Sequence, residues 1–492
     1  MGKSLANENA KPLTCCQEFR NGELNVKEKE HFLDVFFSPA SVAVVGVSRD
    51  PFKPNFHLLA NLVRLKFSGR LYPVNPNAQE ILGIKTFPDL KSIEDEVDLV
   101  ISAVPAAATL DVIEDCVEKG VKGVVIVAGG FSEIGSEGSK AQDEIARLLK
   151  ESGIRAIGPN SLSPINTSNN LIVGFDAHET LKRGTTSFIF QSGLYEPRLN
   201  WIFANFNLGI NKLIDLGNKM DINEVEALEY LAEDPDTKVI AIHLESIAGD
   251  GREFQQLLKE TSKKKPIVIL KSGRTQAGIK AASSHTGAMV RGSDIVFDVA
   301  VRQAGAIRAQ TLEDFFDFAK AFELFMPLKL KGNRIAITTF SGGEGVLTTD
   351  LCQEKGLFMA SVSPETSGKL QQISPPWVIP PNPFDFGVSM QFHRPDDVYR
   401  VFLESMINDE NVDCLAVQIG MSGFPMPNEF LQPFLMAREK KKPIALWPVE
   451  ATHQDTAAIQ WLESNHIPVY PSAERAIKAL SALYRYSILN EQ

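Results

Sequence analysis

From Ser41 onward the chain alternates short apolar runs with stretches of helix length, and this alternation limits the fold more than any other feature. SVAVVG (41–46), RLYPV (70–74), DLVISAV (98–104), GVVIVAG (123–129) and IRAIG (154–158) are continuous apolar runs rather than alternating ones. Such runs suit strands covered on both faces, as in parallel sheets. Amphipathic segments at 107–119 and 139–152 lie between them. Strand, helix, strand in repetition predicts an open parallel sheet with helices on both sides.

The pattern continues through TTSFIF (185–190), KLIDLG (212–217), KVIAIHLE (238–245) and PIVILK (266–271). It recurs in RIAITTF (334–340), LFMASV (357–362), DCLAVQI (413–419) and PIALWP (443–448). These two blocks resemble each other: EDPDTKVIAIHLE parallels NDENVDCLAVQIG, KKKPIVILK parallels KKKPIALWP, and FQSG parallels FSGG. Three matches in one order indicate a duplicated α/β domain. The expected division is an arm at 1–37 with a short helix at 26–37, then domains at 38–165, 166–328 and 329–492. The lysine runs are expected to be solvated helix ends. The copies differ chemically. Glu245 ends a strand where the other copy has Gly420, and only the first copy continues into KSGRTQAGIKAASSHTGAMVRGSD (271–294).

A net charge of −11 opposes nucleic-acid binding, so a polyanionic ligand has to be held locally by backbone amides and a few cations. Five cysteines (15, 16, 116, 352 and 414) show no metal-ligand spacing and no even framework. The first residues have no apolar signal core, and no apolar run reaches membrane-spanning length. A cytoplasmic protein with no membrane contact and no metal site is expected.

In the first domain, Gly46 and Ser48 occupy a tight turn after the first strand, where free N–H groups suit phosphate. The second strand ends in VNPN (74–77), without the acid that an NAD ribose requires. A cofactor phosphorylated on the adenosine ribose, such as coenzyme A, is better accommodated by Asn75. The next ends, AVPAAA (103–108) and AGGFSE (128–133), are small-residue edges that let a cofactor lie close.

In the second domain, AASSHTGAMVRGSD (281–294) lacks helical periodicity and is expected to be a loop around His285. A lone histidine is often incidental. Here Glu245 and QSG (191–193) lie at strand ends of one edge, so a carboxylate can orient the imidazole and a helix N-terminus can hold a phosphoryl group. That set suits a phosphohistidine. The other histidines, His178 among them, are expected to have no such setting, and His243 to be a packed strand residue.

SVAVVGVS, YPVNP, AVPA, GFSE, GPN, QSG, LGNKMDINEVEALEYLAEDP, KSGRT and SSHTGA together resemble the α subunit of NDP-forming acyl-CoA synthetases of the ADP-forming acetyl-CoA synthetase type. Succinyl-CoA synthetase is a more distant relation. The resemblance spans about 38–492. It implies a Rossmann-like CoA-binding domain followed by two flavodoxin-like parallel-sheet domains. It implies that Gly46 and Ser48 face the CoA phosphates and that Asn75, Pro76, Val104 and Pro105 line the nucleotide, with Gly130 and Glu133 in the next motif around it. It places Asn160 near the thioester and phosphate, makes His285 the phosphorylated residue with Glu245 its partner, and has Ser192 and Gly193 cap the phosphate-holding helix. It further implies an organic acid or acyl-CoA as substrate and inorganic phosphate as co-substrate. ATP or ADP with Mg2+ would sit on a separate ATP-grasp β subunit, in a hetero-oligomer.

The chain departs from the family at Phe52, Pro54 and Asn55, where glycines are usual, and at Ser161, where cysteine is usual. Leu194, Tyr195, Glu196 and Pro197 replace small residues, and Phe340 replaces a polar one. Tyr195 and Glu196 are expected to crowd the acyl pocket, with Glu196 repelling an anion at the helix end. The departures at Pro54 and Glu196 motivate the rival reading, a non-catalytic CoA- or acyl-CoA-binding regulatory subunit. An oxidoreductase is disfavoured by the missing ribose acid.

Overall fold

The computed structural model describes residues 31–286, 293–420, 428–450 and 456–490. Three parallel sheets follow one another, and each puts its first strand between its second and third. In the first sheet the order is Arg70–Val74, Ser41–Val45, Leu99–Ser102, Gly123–Ile126, Arg155–Ile157. In the second, Lys212–Asp215, Thr186–Phe190, Val239–Leu244, Ile267–Lys271 and Ile307–Arg308 repeat that order. In the third, Phe358–Met359, Arg334–Thr339, Cys414–Ile419 and Ile444–Pro448 do the same, and Val469 extends the edge by a bridge to Leu446. The strand order reverses beside the first strand of each sheet, and that point opens the crevice where such sheets bind ligands. The shared order supports the duplication inferred from the repeats.

The strands match the apolar runs to within one or two residues, except that 123–129 yields only Gly123–Ile126 and 357–362 only Phe358–Met359. The expected arm is corrected at its end: Leu33, Phe36 and Phe37 are buried, and Arg155 lies 4.0 Å from the Phe32 ring. The earlier part of the arm lies outside the described residues. The boundary at 165 also shifts in meaning, because Ile165–Asn166 pairs antiparallel with the second sheet at Leu213 and Lys212.

The lysine runs are not wholly solvated. Lys265 Nζ donates to the carbonyls of Leu231 and Asp234, and Lys442 Nζ to those of Met406 and Asp409. Each ammonium closes the C-terminal end of a preceding helix, where carbonyls lack partners. The same device appears in both copies.

The first two domains share one apolar core, running from Phe36, Val42 and Leu58 to Ile189, Ile214 and Leu228. The second and third share another, where helix Leu312–Phe325 lies against helix Ala473–Leu489 with Phe322 and Tyr486 rings 5.2 Å apart. Arg475 forks onto Asp317 at 2.5 and 2.7 Å across that joint.

Candidate active site

At the first sheet's carboxyl edge, Gly46 turns with φ +83°. A Cβ there would stand 2.9 Å from Val104, so glycine is needed for the turn and for the close approach. Asn75 Nδ2 donates to the Val47 carbonyl at 2.8 Å, and its Oδ1 accepts from Asn77 N at 2.8 Å. Asn75 therefore shapes the turn. Ser48 Oγ accepts from Asp50 N at 3.0 Å. Pro54 opens helix Pro54–Arg64 at its first position, where a missing N–H costs nothing, and no side chain caps that end. The departure at Pro54 is thus compatible with an open anion-binding end. Exposed Arg49 and Lys53 flank the turn, cations that the motif reading missed. Pro76 follows Asn75, and Pro105 follows Val104 at the next strand end. Gly130 has φ +104°, and its N–H donates to Glu133 Oε1 at 2.5 Å. Burial raises the Glu133 pKa, but hydrogen bonds from Gly130 and Asn218 outweigh it and hold the carboxylate ionised. These small, turned edges form a cradle that side chains would fill, and they fit a nucleotide cofactor.

The first two domains meet edge to edge. Asn218 Nδ2 donates to Glu133 Oε2 at 2.7 Å, and Asn218 N to the Pro159 carbonyl at 2.9 Å. Gly217, at φ +53°, brings its Cα so near that a Cβ would stand 2.2 Å from the Pro159 oxygen. Asn160 N bonds the Ala128 carbonyl at 2.9 Å, with its side chain beside Gly129. Ser161, where cysteine is usual, donates to the Asp215 carbonyl at 2.6 Å.

On the second sheet's edge, Gln191 Oε1 accepts from Glu245 N at 2.9 Å and Ser246 N at 3.1 Å. Its Nε2 donates to Ser246 Oγ at 3.1 Å. The buried glutamine thereby sets Glu245 beside the QSG turn. Below it, Lys219 Nζ reaches Glu224 Oε2 and the Ser246 carbonyl, both at 2.7 Å. Glu224 Oε1 accepts from Ala248 N and Gly249 N.

Sequence reasoning missed Asp215. It is buried, and its carboxylate accepts from Leu162 N at 3.0 Å, Gly217 N at 3.2 Å and the Ser192 amide. Burial pushes its pKa up to about 6 despite these bonds, and the Glu245 charge adds to the rise. Its place, the last residue of a strand beside the QSG strand, was the available signal. A folded pKa above the usual carboxylate value means that this group's stabilisation is complete below about pH 4 and lost as pH climbs through 6. Carbon-13 NMR is expected to show the Asp215 carboxyl titrating near pH 6. Its midpoint should fall in Glu245→Gln, and a midpoint below 4.5 in the unmodified chain would refute the assignment.

The QSG helix is corrected. Regular helix begins only at Leu199, after a tight turn at Glu196–Arg198, so Ser192 and Gly193 lie in a turn. Ser192 Oγ accepts from Leu194 N at 3.3 Å. In the duplicate copy, Ser341 directly caps helix Gly342–Glu354. The difference follows from Tyr195 and Glu196, which are drawn inward. Tyr195 stacks on Phe190 with centroids 3.7 Å apart. Glu196 bonds His178 Nε2 at 2.9 Å, both side chains being buried. Glu196 therefore faces away from the turn, and His178 has a carboxylate partner, contrary to expectation in both cases. His243 is packed as expected, with Nε2 2.6 Å from Ser272 Oγ, and burial lowers its pKa to about 4.

The segment carrying His285 leaves the neighbouring strand end at Lys271 and Ser272. Helix Gln276–Thr286 runs through the backbone of His285, which corrects the expected loop. Thr275 Oγ1 accepts from Gly278 N at 3.0 Å and starts that helix. The His285 side chain and residues 287–292 lie outside the described residues.

The family model described as CoA binding domain matches residues 40–166, and that described as succinyl-CoA ligase like flavodoxin domain matches 183–322. The chain is 36% identical over 457 residues to acetate–CoA ligase [ADP-forming] II subunit alpha of Pyrococcus furiosus, covering 92% of this chain and 97% of that one. The chain belongs to the ADP-forming acetate–CoA ligase family. Another member, acetate–CoA ligase [ADP-forming] II of Archaeoglobus fulgidus, is 37% identical over 92% of this chain, which spans 67% of that longer relative. The fold of this family member matches the solved Ca. Korarchaeum cryptofilum dinucleotide forming acetyl-coenzyme A synthetase 1 in complex with phosphate and ADP. That match has a TM-score of 0.82 and 33% identity, covering 93% and 97% of the two chains. The expected succession of a CoA-binding domain and a succinyl-CoA-ligase-like flavodoxin domain is borne out. Among the described residues of this ligase subunit, no helix is long and apolar enough to cross a membrane, and no group of three metal-ligating side chains occurs.

Proposed function

We propose that this α-type subunit interconverts an acyl-CoA, phosphate and ADP with the organic acid, CoA and ATP. The observation that carries this reading is the meeting of two carboxyl edges. The CoA-type cradle and Asn160 come from one edge, and Glu245, Ser192 and Gly193 from the other. A phosphate oxygen attacks the thioester carbonyl, and the thiolate leaves as CoA. A His285 ring nitrogen then attacks phosphorus, and the carboxylate leaves. Glu245 orients the imidazole and steadies its positive charge. The Gly193 amide and the Ser192 hydroxyl hold the phosphoryl oxygens, and Asn160 holds the carbonyl. Gly46 and Ser48 present amides to the CoA phosphates, and Arg49 and Lys53 supply charge. Asn75, Pro76, Val104, Pro105, Gly130 and Glu133 wall the nucleotide.

ADP held with Mg2+ on a separate ATP-grasp β subunit would then take the phosphoryl group from His285 to give ATP and free the imidazole, so the working enzyme is a hetero-oligomer. We place it in the cytoplasm, which suits the buried free thiols Cys116, Cys352 and Cys414. One observation favours the rival regulatory reading: the Asp215 carboxylate already takes the Leu162 and Ser192 amides.

Incubation with the partner subunit and ATP labelled in its γ-phosphate separates the two. An acid-labile, base-stable label supports catalysis, and a label-free chain that still binds CoA supports the regulatory role. Calorimetry is expected to show CoA binding with NAD at least tenfold weaker, since no acid stands ready for the NAD ribose. Tighter NAD binding would overturn the cofactor assignment.

A further inference from the structure

A cleft of about 520 Å3 opens between the second and third domains, where the end of helix Asp294–Gln303 and the strand end at Arg308 meet helix Ala473–Leu489. Arg302, Arg308, Lys355, Lys478 and Arg485 line it, opposed by Asp314 and Glu354. That surplus of cations stands on a chain of net charge −11. Within the cleft Asp314 pairs with Lys478 at 3.2 Å and accepts from Gln310 N at 3.3 Å, and Arg302 pairs with Asp298 at 3.0 Å, which leaves Lys355 and Arg485 as the cations without a carboxylate partner among the described residues.

The arginines are incompletely satisfied. Arg308 is 4% exposed; its Nη2 donates to Asp294 at 2.7 Å, but its buried Nε and Nη1 have no partner. Arg485 Nε is likewise buried without a partner, and Arg485 makes no ion pair among the described residues. Burial and the like charge of Arg302 push the Arg485 pKa down. Unpaired buried N–H groups on charged side chains cost free energy, and an oxyanion meeting two planar guanidinium groups would remove that cost.

We propose that this cleft is a second anion site, distinct from the histidine edge, that binds a small molecule bearing a phosphate or diphosphate group. The guanidinium forks of Arg308 and Arg485 hold the phosphoryl oxygens, and Lys355 adds a point charge. The bound anion ties the strand end at Arg308 to helix Ala473–Leu489 and so bolts the second domain to the third. The assignment does not depend on the role of His285.

The test is calorimetric titration of the full chain with inorganic pyrophosphate, with citrate as a tricarboxylate arm. Arg485→Met is expected to fold, because Arg485 has no ion pair to lose and a methionine keeps the packing over the Phe318 ring; retained CoA binding checks this. Pyrophosphate, titrated with CoA saturating its cradle, should bind at least tenfold more weakly to Arg485→Met and to Lys355→Met than to the parent. Should Arg485→Met fail to fold, Lys355→Met decides. An isotherm identical in the parent and Lys355→Met, or citrate binding tighter than pyrophosphate, would overturn the proposal.

Discussion

His285→Ala is expected to abolish the phosphoryl label and to lower overall turnover by about 10^4-fold or more, because in the proposed reaction His285 is the nucleophile that carries the phosphoryl group. Glu245→Gln should retain a faint label with turnover down about 10^2- to 10^4-fold, the range lost with an acid–base partner. Both variants should bind CoA like the parent, since the CoA cradle belongs to the other sheet. That readout separates a chemical defect from misfolding. A label that persists in His285→Ala would remove the histidine from the mechanism. Loss of CoA binding in Glu245→Gln would show that Glu245 props the domain joint instead.

Lys219→Met should lower stability by about 3–5 kcal/mol, read from urea unfolding. The side chains of Lys219 and Glu224 are 2% and 0% exposed, so removing the ammonium leaves a carboxylate buried without its counter-charge. Burial already pushes the Lys219 pKa down. The pair also links the turn at 216–220 to the loop carrying Glu245, through Ser246, Ala248 and Gly249. Turnover of the folded fraction should therefore fall as well. The double variant Lys219→Met with Glu224→Leu should recover part of the stability, since an apolar pair leaves no orphaned charge. A loss under 1 kcal/mol in the single variant would mean that water reaches the pair.

Much of this architecture is legible in the chain because the sheets are parallel. Strands covered on both faces must be apolar throughout, so 41–46 or 238–245 stands out without any knowledge of its neighbours. The duplicated domain is legible for the same reason, and so is Glu245 at a strand end. The segment 281–286 is helical because Thr275 starts the helix and two alanines favour it, although its hydroxyl residues disguise the period. Glu196 is misleading in the sequence. It looks like a charge at a helix end, but it finds His178 eighteen residues earlier and turns inward.

The order of elements, their burial on two faces, the duplication and the residue types offered at each strand end were determined by the sequence alone, because hydrophobic period and turn chemistry act over a few residues. Tertiary structure alone decided which of those ends share an edge and what each charge meets. Asp215 lies 53 positions from Leu162, and Asn218 lies 85 from Glu133, yet each pair is in hydrogen-bond contact. The elevated carboxyl of Asp215, the Lys219–Glu224 bolt and the unpaired guanidinium groups of Arg308 and Arg485 arise from that convergence. Desolvation and charge pairing depend on distance in space, which local pattern does not encode.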